Sequence, residues 1–196
     1  MATQRAQQKA RTRARVLQAA RACLEAEGYE ATTVARVARR AKVATGTVMA
    51  HFSDKASLVA AAFHDTIEQV VQGAMATAPV DGTAIERLLH VSAGLYAFYA
   101  QDRILSAALV RDATFSAPQV PREALDAQFQ RFLGWVKQEL AAGQARGELK
   151  ADLNLEIAAL GYWADYYVVL LMGVLGETPL AEQRGTLEAL LKMRLN

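Results

Sequence analysis

The feature that most constrains this chain is the helical periodicity of its apolar residues. They recur at spacings of three and four, most clearly along residues 121–142, where the repeat consists of Leu125, Phe129, Phe132, Leu133, Val136 and Leu140. Such spacing places apolar side chains on one face of a helix. Alternating runs of β-branched residues, which would predict strands, are absent from the sequence. The sequence therefore predicts an all-α fold.

Glycine, proline and capping residues divide this pattern into about nine helices. We expect the first helix to end at Gly28 and the fourth to begin with Ser53 as its cap and end at Gly73, because glycine favours helix ends. A linker containing Pro79 and Gly82 follows. The predicted helices cover residues 8–27, 34–41, 45–52, 54–72, 83–100, 102–115, 121–142 and 155–174, and a last helix begins at Thr178 and Pro179.

Charge is unevenly distributed along the chain. Residues 1–55 contain eleven Lys and Arg against four Asp and Glu, a net charge of +7, whereas the remainder carries −5. A basic end and an acidic end within one chain indicate that the basic end meets a polyanion. The alternative is a chance fluctuation that leaves only a solvated basic helix.

The most informative segment is residues 32–55, TTVARVARRAKVATGTVMAHFSDK. Two short helices joined by three or four residues bury little surface alone, so we expect them to pack steeply against the first helix. The third helix then keeps an outward face of small or polar residues without a carboxylate. Such a face suits a major groove, where short donors and acceptors reach base edges and a negative charge would be repelled by phosphates. We therefore predict a DNA-reading helix.

Positive charge extends this predicted surface on both sides. Lys55, together with the helix N-terminus at Ser53, has the chemistry to hold a phosphate, because free backbone N–H groups and the helix dipole favour anions. Arg11, Arg13 and Arg15 on the preceding helix would add attraction that does not depend on base sequence. The segment thus combines a base-reading face with phosphate-binding groups.

Many positions in residues 12–59 agree in register with a known family. They are the apolar pattern of the first helix, Gly28-Tyr29, Thr32-Thr33, Val37-Ala38, Gly46-Thr47, His51-Phe52, Lys55 and Leu58. Through them the segment resembles the N-terminal domain of TetR-type transcriptional regulators. The resemblance covers about a quarter of the chain closely, and the remainder agrees only in the number and length of its helices.

Four positions depart from the family pattern. Lys42 stands in the turn where most relatives have Gly, and a left-handed Lys costs roughly 1–2 kcal/mol relative to Gly. Ala44 replaces the usual capping Ser, so that either Thr45 caps the recognition helix or the cap is missing. Met49 occupies a position where relatives often have a phosphate-binding Tyr, and Ala50 replaces a larger residue. Both changes remove expected DNA contacts.

The resemblance implies a DNA-binding domain over residues 1–55 and an effector-binding and dimerisation domain over 56–196. It favours a phosphate or base contact for His51, the alternative being a half-buried packing residue, whereas Arg39 and Arg40 are interpreted as a solvated face. The predicted DNA-contacting residues are Arg11, Arg13, Thr33, Ala44, Thr45, Gly46, Thr47, Met49, His51 and Lys55.

Large amphipathic side chains in the C-terminal part suggest a cavity, because buried tyrosine hydroxyls and arginines need polar partners. Ordinary core packing is the alternative for each of them. Asp165 is a candidate polar anchor or, alternatively, faces solvent. The predicted effector-pocket residues are Phe63, His64, Tyr96, Tyr99, Arg103, Arg111, Phe115, Phe129, Trp135, Trp163, Asp165, Tyr166 and Tyr167.

The last two predicted helices carry more apolar residues than a monomer surface needs, and such faces usually mark interfaces. In the family these helices pair with their symmetry mates. The predicted dimer-interface residues are Leu170, Leu171, Val174, Leu187, Leu190 and Leu191. The resemblance thus implies a homodimeric repressor that binds a palindromic operator and is released by a small hydrophobic or aromatic effector. The alternative is a constitutive or architectural DNA-binding protein without an effector.

Enzymatic and metal-binding classes lack support in the sequence. No HExxH, nucleophile elbow, P-loop or strand-borne GxGxxG is present, and the histidines at 51, 64 and 90 are unrelated in spacing. We expect no cofactor and no metal. The single Cys23, the polar N-terminus without an apolar signal segment, and uninterrupted apolar runs far below the ~18 residues of a membrane span predict a cytoplasmic protein that avoids the membrane.

Overall fold

A computed structural model describes the backbone of residues 2–115 and 122–195 and the side chains of residues 4–111 and 126–195. These described residues form nine α-helices and contain no strand, which confirms the all-α prediction. The helices are α1 (Ala2–Ala31), α2 (Val34–Arg40), α3 (Thr45–Met49), α4 (Lys55–Ala76), α5 (Ala84–Ala100), α6 (Arg103–Phe115), α7 (Arg122–Ala145), α8 (Leu155–Leu175) and α9 (Leu180–Leu195).

Contacts within the chain define two compact units. The first consists of Met1–Thr66 and Ile104–Arg122, and the second of Ile67–Arg103 and Glu123–Asn196. The division therefore falls inside α4 and assigns most of α6 to the first unit. The boundary predicted at residue 55 divides the chain by expected function, whereas the two units are defined by contacts. It therefore stays a prediction.

The core of the first unit joins α1, α2 and α3. Val16 and Cys23 of α1, Val37 of α2 and Val48 of α3 are almost completely buried in one cluster. Because Val37 and Val48 are the inward positions of two short helices, their burial is what holds these helices against α1. The sequence prediction that α1 supports the pair is confirmed.

Local hydrogen bonds set the turns between these helices. Gly28 has a φ of 77°, which kinks α1, and the Thr32 hydroxyl donates to the Gly28 carbonyl at 2.8 Å. Thr33 caps α2 by accepting from the Arg36 amide at 3.2 Å. Lys42 has a φ of 53°, the left-handed conformation expected for this turn.

The start of α4 differs from the prediction. Asp54, rather than Ser53, is the cap: its carboxylate accepts from the Ser57 amide at 2.7 Å, while the Ser57 hydroxyl accepts from the Asp54 amide at 3.2 Å. This reciprocal pair satisfies two amides that a helix start leaves open. The predicted end at Gly73 is also wrong. The helix continues to Ala76, because one glycine costs only about 1 kcal/mol in a helix.

The core of the second unit lies among α5, α8 and α9, with α7 beside them. Tyr96 and Tyr162 are among the largest fully buried side chains, together with Leu88 and Leu187. The Tyr162 hydroxyl lies 2.7 Å from the Ser92 hydroxyl and donates to the Leu88 carbonyl at 3.3 Å, which satisfies a polar group in an apolar interior.

Polar contacts fix the ends and edges of these helices. Thr83 and Glu86 form a capping box at the start of α5, and Asn154 caps α8. The last turn of α8 ends on Gly176, a left-handed C-cap with φ 82°. Arg87 of α5 makes a bidentate ion pair with Glu139 of α7, at 2.6 and 2.9 Å. These contacts hold the end of α8 and the α5–α7 pair in a defined position.

Among the described helices, α8 is long and apolar enough to cross a membrane by length and composition alone. The sequence analysis considered only uninterrupted apolar runs and did not predict this property of α8, because small and polar residues interrupt its apolar residues. In the structure 44% of its most apolar window is buried within the protein, and its buried Asp165 pairs with Arg194 of α9. Core helices commonly share this composition.

Candidate functional site

The outward face of α3 consists of small and polar groups. Ala44, Thr45, Gly46, Met49 and Ala50 are exposed, whereas Val48 points into the core. No carboxylate lies in α3, and no side chain caps its first turn, so the alternative of a missing cap is correct. The Thr47 amide of this turn donates to the Ala44 carbonyl at 2.9 Å, whereas the Thr45 and Gly46 amides precede the first backbone hydrogen bond of the helix.

A basic groove lies beside α3. Its walls are the N-terminal turns of α1, through Arg5, Lys9 and Thr12, and the end of the recognition segment, through Thr47 and His51. Both Thr47 and His51 are half-buried, so part of each side chain is still accessible from the groove. The groove places fixed positive charge next to the predicted base-reading face.

The environment of His51 shifts its titration. Burial lowers the pKa of the imidazole below its usual value, and the charges of Lys9 and Arg13 lower it further. Arg13 lies with its guanidinium carbon 5.5 Å from the centroid of the Phe52 ring, a cation–π contact that holds the arginine over this surface. His51 is therefore mainly neutral at pH 7 in the free protein.

Three other predicted DNA-contacting residues occupy different settings. Arg11 and Thr33 are exposed, and the Thr33 hydroxyl accepts the α2 capping bond. Lys55 is half-buried: its ammonium donates to the Tyr29 carbonyl at 2.5 Å and lies 3.9 Å from the centre of the Tyr29 ring. The lysine thus closes the C-terminal end of α1, where a cation is favoured by the helix dipole.

The second unit contains a cavity of about 190 Å³ between α5, the end of α8 and the start of α9. Tyr96, Tyr99, Arg103 and Gln183 are among its lining residues. An aromatic cluster lies deeper in the same unit, with Phe129 and Phe132 of α7 packed against Trp163 and Tyr166 of α8.

The predicted effector-pocket residues are divided between the units. Phe63, His64 and Arg111 lie in the first unit, where Arg111 donates to the Tyr29 hydroxyl at 3.2 Å. Phe115 lies outside the residues whose side chains are described. The members in the second unit are Tyr96, Tyr99, Arg103, Phe129, Trp135, Trp163, Asp165, Tyr166 and Tyr167.

An exposed apolar stripe runs along α8. It is formed by Ile157, Leu160, Val168, Leu171 and Leu175, spaced by three or four residues or a multiple of these, so all five lie on one face. Each of the five is classed among the exposed large hydrophobic side chains of the described protein. A contiguous face of this kind marks an interaction surface.

The family model described as bacterial regulatory proteins, tetR family, matches residues 16–62. This range contains α2, α3, the Lys42 turn and the first part of α4, which together form the geometry described above. The match covers 47 of the 196 residues, so it identifies this segment rather than the whole chain.

Three solved structures match nearly the whole chain in fold. RolR in complex with resorcinol has a TM-score of 0.72 at 21% identity, covering 96% of this chain and 89% of that one. Thermus thermophilus FadR in complex with lauroyl-CoA has a TM-score of 0.70 at 20% identity, covering 92% and 93%. Bacillus subtilis FadR in complex with stearoyl-CoA has a TM-score of 0.66 at 21% identity, covering 90% and 96%. No curated protein sequence matches the chain.

The groove contains two basic residues that were not among the predicted DNA-contacting residues. Arg5, Lys9 and Arg13 follow one another at intervals of four residues, so they share one face of a helix that includes residue 5. The predicted start at residue 8 concealed this face, because α1 begins at Ala2. The spacing of basic residues was the signal available in the sequence.

The structure excludes one alternative and corrects one prediction in the C-terminal part. Asp165 does not face solvent: it is 8% exposed, and both carboxylate oxygens accept from Arg194. Four predicted interface residues are instead buried within the protomer, because the inner faces of α8 and α9 pack against each other and against α5. These four are Leu170, Val174, Leu187 and Leu191, whereas Leu171 is exposed and Leu190 is half-buried.

Proposed function

We propose that this chain is a cytoplasmic repressor of the TetR family that binds a palindromic operator as a homodimer and is released by a small hydrophobic or aromatic effector. The observation that carries the DNA part is the exposed, carboxylate-free face of α3 beside the basic groove. A helix with such a face can approach base edges without repelling the DNA phosphates. The cations of the groove attract those phosphates.

The dimer part rests on the apolar stripe of α8. A second copy is the partner with the best chemical match, because a two-fold axis would bring the same apolar face against itself and cover it on both chains. Two recognition helices related by that axis would read two half-sites, which makes the operator a palindrome. Our earlier interface prediction is therefore replaced by the stripe, with Leu171 as the shared member.

The effector part rests on the cavity in the second unit and on the neighbours in structure. RolR is described in complex with resorcinol, and the two FadR proteins with acyl-CoA compounds. In this chain the effector would favour a conformation in which the two DNA-reading heads no longer match the operator, so that its binding lowers DNA affinity through a coupling free energy.

The test is a footprint of the full chain on the DNA flanking its own gene, repeated with resorcinol and with lauroyl-CoA as probes. We expect a protected palindrome and loss of protection with an effector. Thr47→Ala with His51→Ala should weaken binding to that site far more than binding to unrelated DNA. Thr186→Ala, at a half-buried position on α9 in the second unit, should change neither. Protection without sequence preference would instead support an architectural protein.

A further inference from the structure

The cavity between α5, α8 and α9 is built around two polar side chains that face it from opposite elements. Arg103, the first residue of α6, lies at one wall, and Gln183 of α9 lines another. The rings of Tyr96 and Tyr99 of α5 line it as well. All of these residues belong to the second unit, so the cavity is defined within one compact body.

Gln183 carries an unused hydrogen-bonding group. Its side chain is inside the protein, since the residue is 4% exposed, and its Oε1 atom is buried with no hydrogen-bond partner. An unsatisfied buried acceptor costs about 1–3 kcal/mol. A ligand hydroxyl or amine in the cavity would donate to this atom and remove the cost.

The amide of Gln183 is held in place by a close approach to the backbone. Gly173 of α8 lies beside it, and a Cβ at this position would overlap the Gln183 side chain. The glycine thus leaves the space that the amide occupies. This close fit restricts the directions from which a ligand donor can reach Oε1.

Arg103 supplies a positive charge to the same cavity. Its Nε donates to the Val174 carbonyl at 3.3 Å, and its guanidinium lies against Gly176, where a Cβ would overlap it. Within the described side chains no carboxylate forms an ion pair with Arg103. A guanidinium offers several N–H donors, and a ligand carboxylate is the group that matches two of them at once.

The tyrosines make the remaining walls aromatic. Burial raises the pKa of the Tyr99 hydroxyl to about 12, so it remains neutral at physiological pH. The Tyr96 hydroxyl donates to the Tyr166 carbonyl at 3.2 Å and its ring stacks on the Tyr166 ring, so Tyr96 is a buried support of the cavity wall and Tyr99 supplies the more accessible ring. Ring edges and faces of this kind favour a planar aromatic ligand.

The volume limits the ligand to one ring. The cavity measures about 190 Å³, and a cavity of roughly 150 Å³ is sufficient to bind benzene. Cavities for larger, drug-sized ligands are usually about 300 Å³ or more. A ring with one or two small substituents therefore fills this volume, which is too small to enclose a long acyl chain.

We propose that this cavity is the effector site of the regulator and that it binds a single-ring aromatic carboxylate bearing a ring hydroxyl, with Arg103 on the carboxylate and Gln183 on the hydroxyl. That the bound ligand acts as an effector rests on the proposed function. The chemistry of ligand binding is argued from the residues of the cavity alone. Both polar groups must be satisfied together, so neither benzoate nor phenol is a complete ligand.

Calorimetry of the full chain without DNA tests this chemistry with 3-hydroxybenzoate, 4-hydroxybenzoate, benzoate, phenol and lauroyl-CoA as probes. At least one hydroxybenzoate should bind tenfold or more tightly than benzoate or phenol. Arg103→Gln should lower that affinity at least tenfold, whereas Arg184→Gln, an exposed arginine beside Gln183, should leave it unchanged. Gln183→Leu should abolish the preference for hydroxybenzoate over benzoate.

Ala100→Leu provides a second route, because it fills the lining of the cavity without changing a polar group and should block all one-ring probes. A protein that binds its operator but binds no hydroxybenzoate, or whose binding is unaffected by Arg103→Gln, would overturn the inference. Preferential binding of lauroyl-CoA would overturn it as well. If the protein binds hydroxybenzoate in an Arg103-dependent way but does not bind DNA, the inferred binding chemistry is supported and the proposed function is wrong.

Discussion

Arg194 of α9 donates to both carboxylate oxygens of Asp165 on α8, from Nε to Oδ2 at 2.9 Å and from Nη2 to Oδ1 at 2.8 Å. Gly161, one turn earlier on α8, leaves the room that the arginine needs, because a Cβ there would lie 2.9 to 3.1 Å from its side chain. The pair stabilises the arginine in its charged form and raises its pKa. It joins the two helices at a defined register.

Breaking this ion pair should destabilise the second unit. Arg194→Gln leaves the buried Asp165 carboxylate without its partner, and since the arginine side chain is 43% exposed we expect a loss of about 1–3 kcal/mol rather than the full cost for a buried pair. Urea unfolding measures the change. Lys192→Gln, which removes only a surface pair with Glu188, should cost less than about 0.5 kcal/mol. Equal effects would contradict a special role for Asp165.

The Lys42 turn predicts a stabilising substitution. Lys42 adopts a left-handed φ of 53°, so Lys42→Gly should raise the free energy of unfolding by roughly 1 kcal/mol. Arg40→Gly is the matched control, because Arg40 lies in the helix α2, where glycine costs about 1 kcal/mol. Thermal unfolding should therefore move in opposite directions for the two variants. A fall in stability for Lys42→Gly would mean that its side chain contributes a contact that outweighs the strain.

His51 predicts a pH dependence of operator binding. Burial, Lys9 and Arg13 keep its pKa low in the free protein, whereas nearby phosphates would raise it in the complex. DNA binding then takes up a proton, and affinity should increase as the pH falls from about 8 to about 6. Measuring operator affinity as a function of pH for the wild-type chain and for His51→Gln gives the slope of affinity against pH for each protein. An identical slope for both proteins would exclude His51 as its source.

Lys9 predicts a separate electrostatic effect. Lys9→Gln removes one cation from the groove, so affinity should fall equally for operator and unrelated DNA, and the salt dependence should decrease by about one counterion. It should also raise the pKa of His51, which NMR can follow in the free protein. Lys150→Gln, on the second unit, should alter neither quantity. Loss of affinity for the operator alone would show that Lys9 contacts a base instead.

The stripe on α8 predicts where a charge disrupts assembly. Val168→Glu places a carboxylate at the centre of the exposed apolar face and should convert the proposed dimer into monomers, as measured by sedimentation. Val80→Glu is the control, since Val80 is 89% exposed in a turn outside the stripe. A Val168→Glu protein that still sediments as a dimer would place the interface elsewhere on the molecule.

Much of the structure of the N-terminal helices α1 to α3 was predictable because its determinants are local. The apolar spacing of α1 identifies Val16 and Cys23 as core residues, and the short α2 and α3 follow from Thr33, the Lys42 turn and the run of small residues after Ala44. Helix periodicity and capping act over one or two turns, so a short segment contains the whole signal. The extent of α1 beyond residue 8 was not predicted, since no capping residue marks its start.

By itself the amino-acid sequence determined an all-helical chain with a basic, carboxylate-free recognition segment, because residue type and spacing decide which face of a helix is apolar. Only the tertiary structure decided which neighbour covers each apolar face. It buries Leu187 and Leu191 inside the protomer while leaving Val168 exposed, and it brings Arg194 to Asp165. Burial and ion pairing depend on residues that are far apart in the chain. A local sequence pattern does not specify which distant residues come into contact.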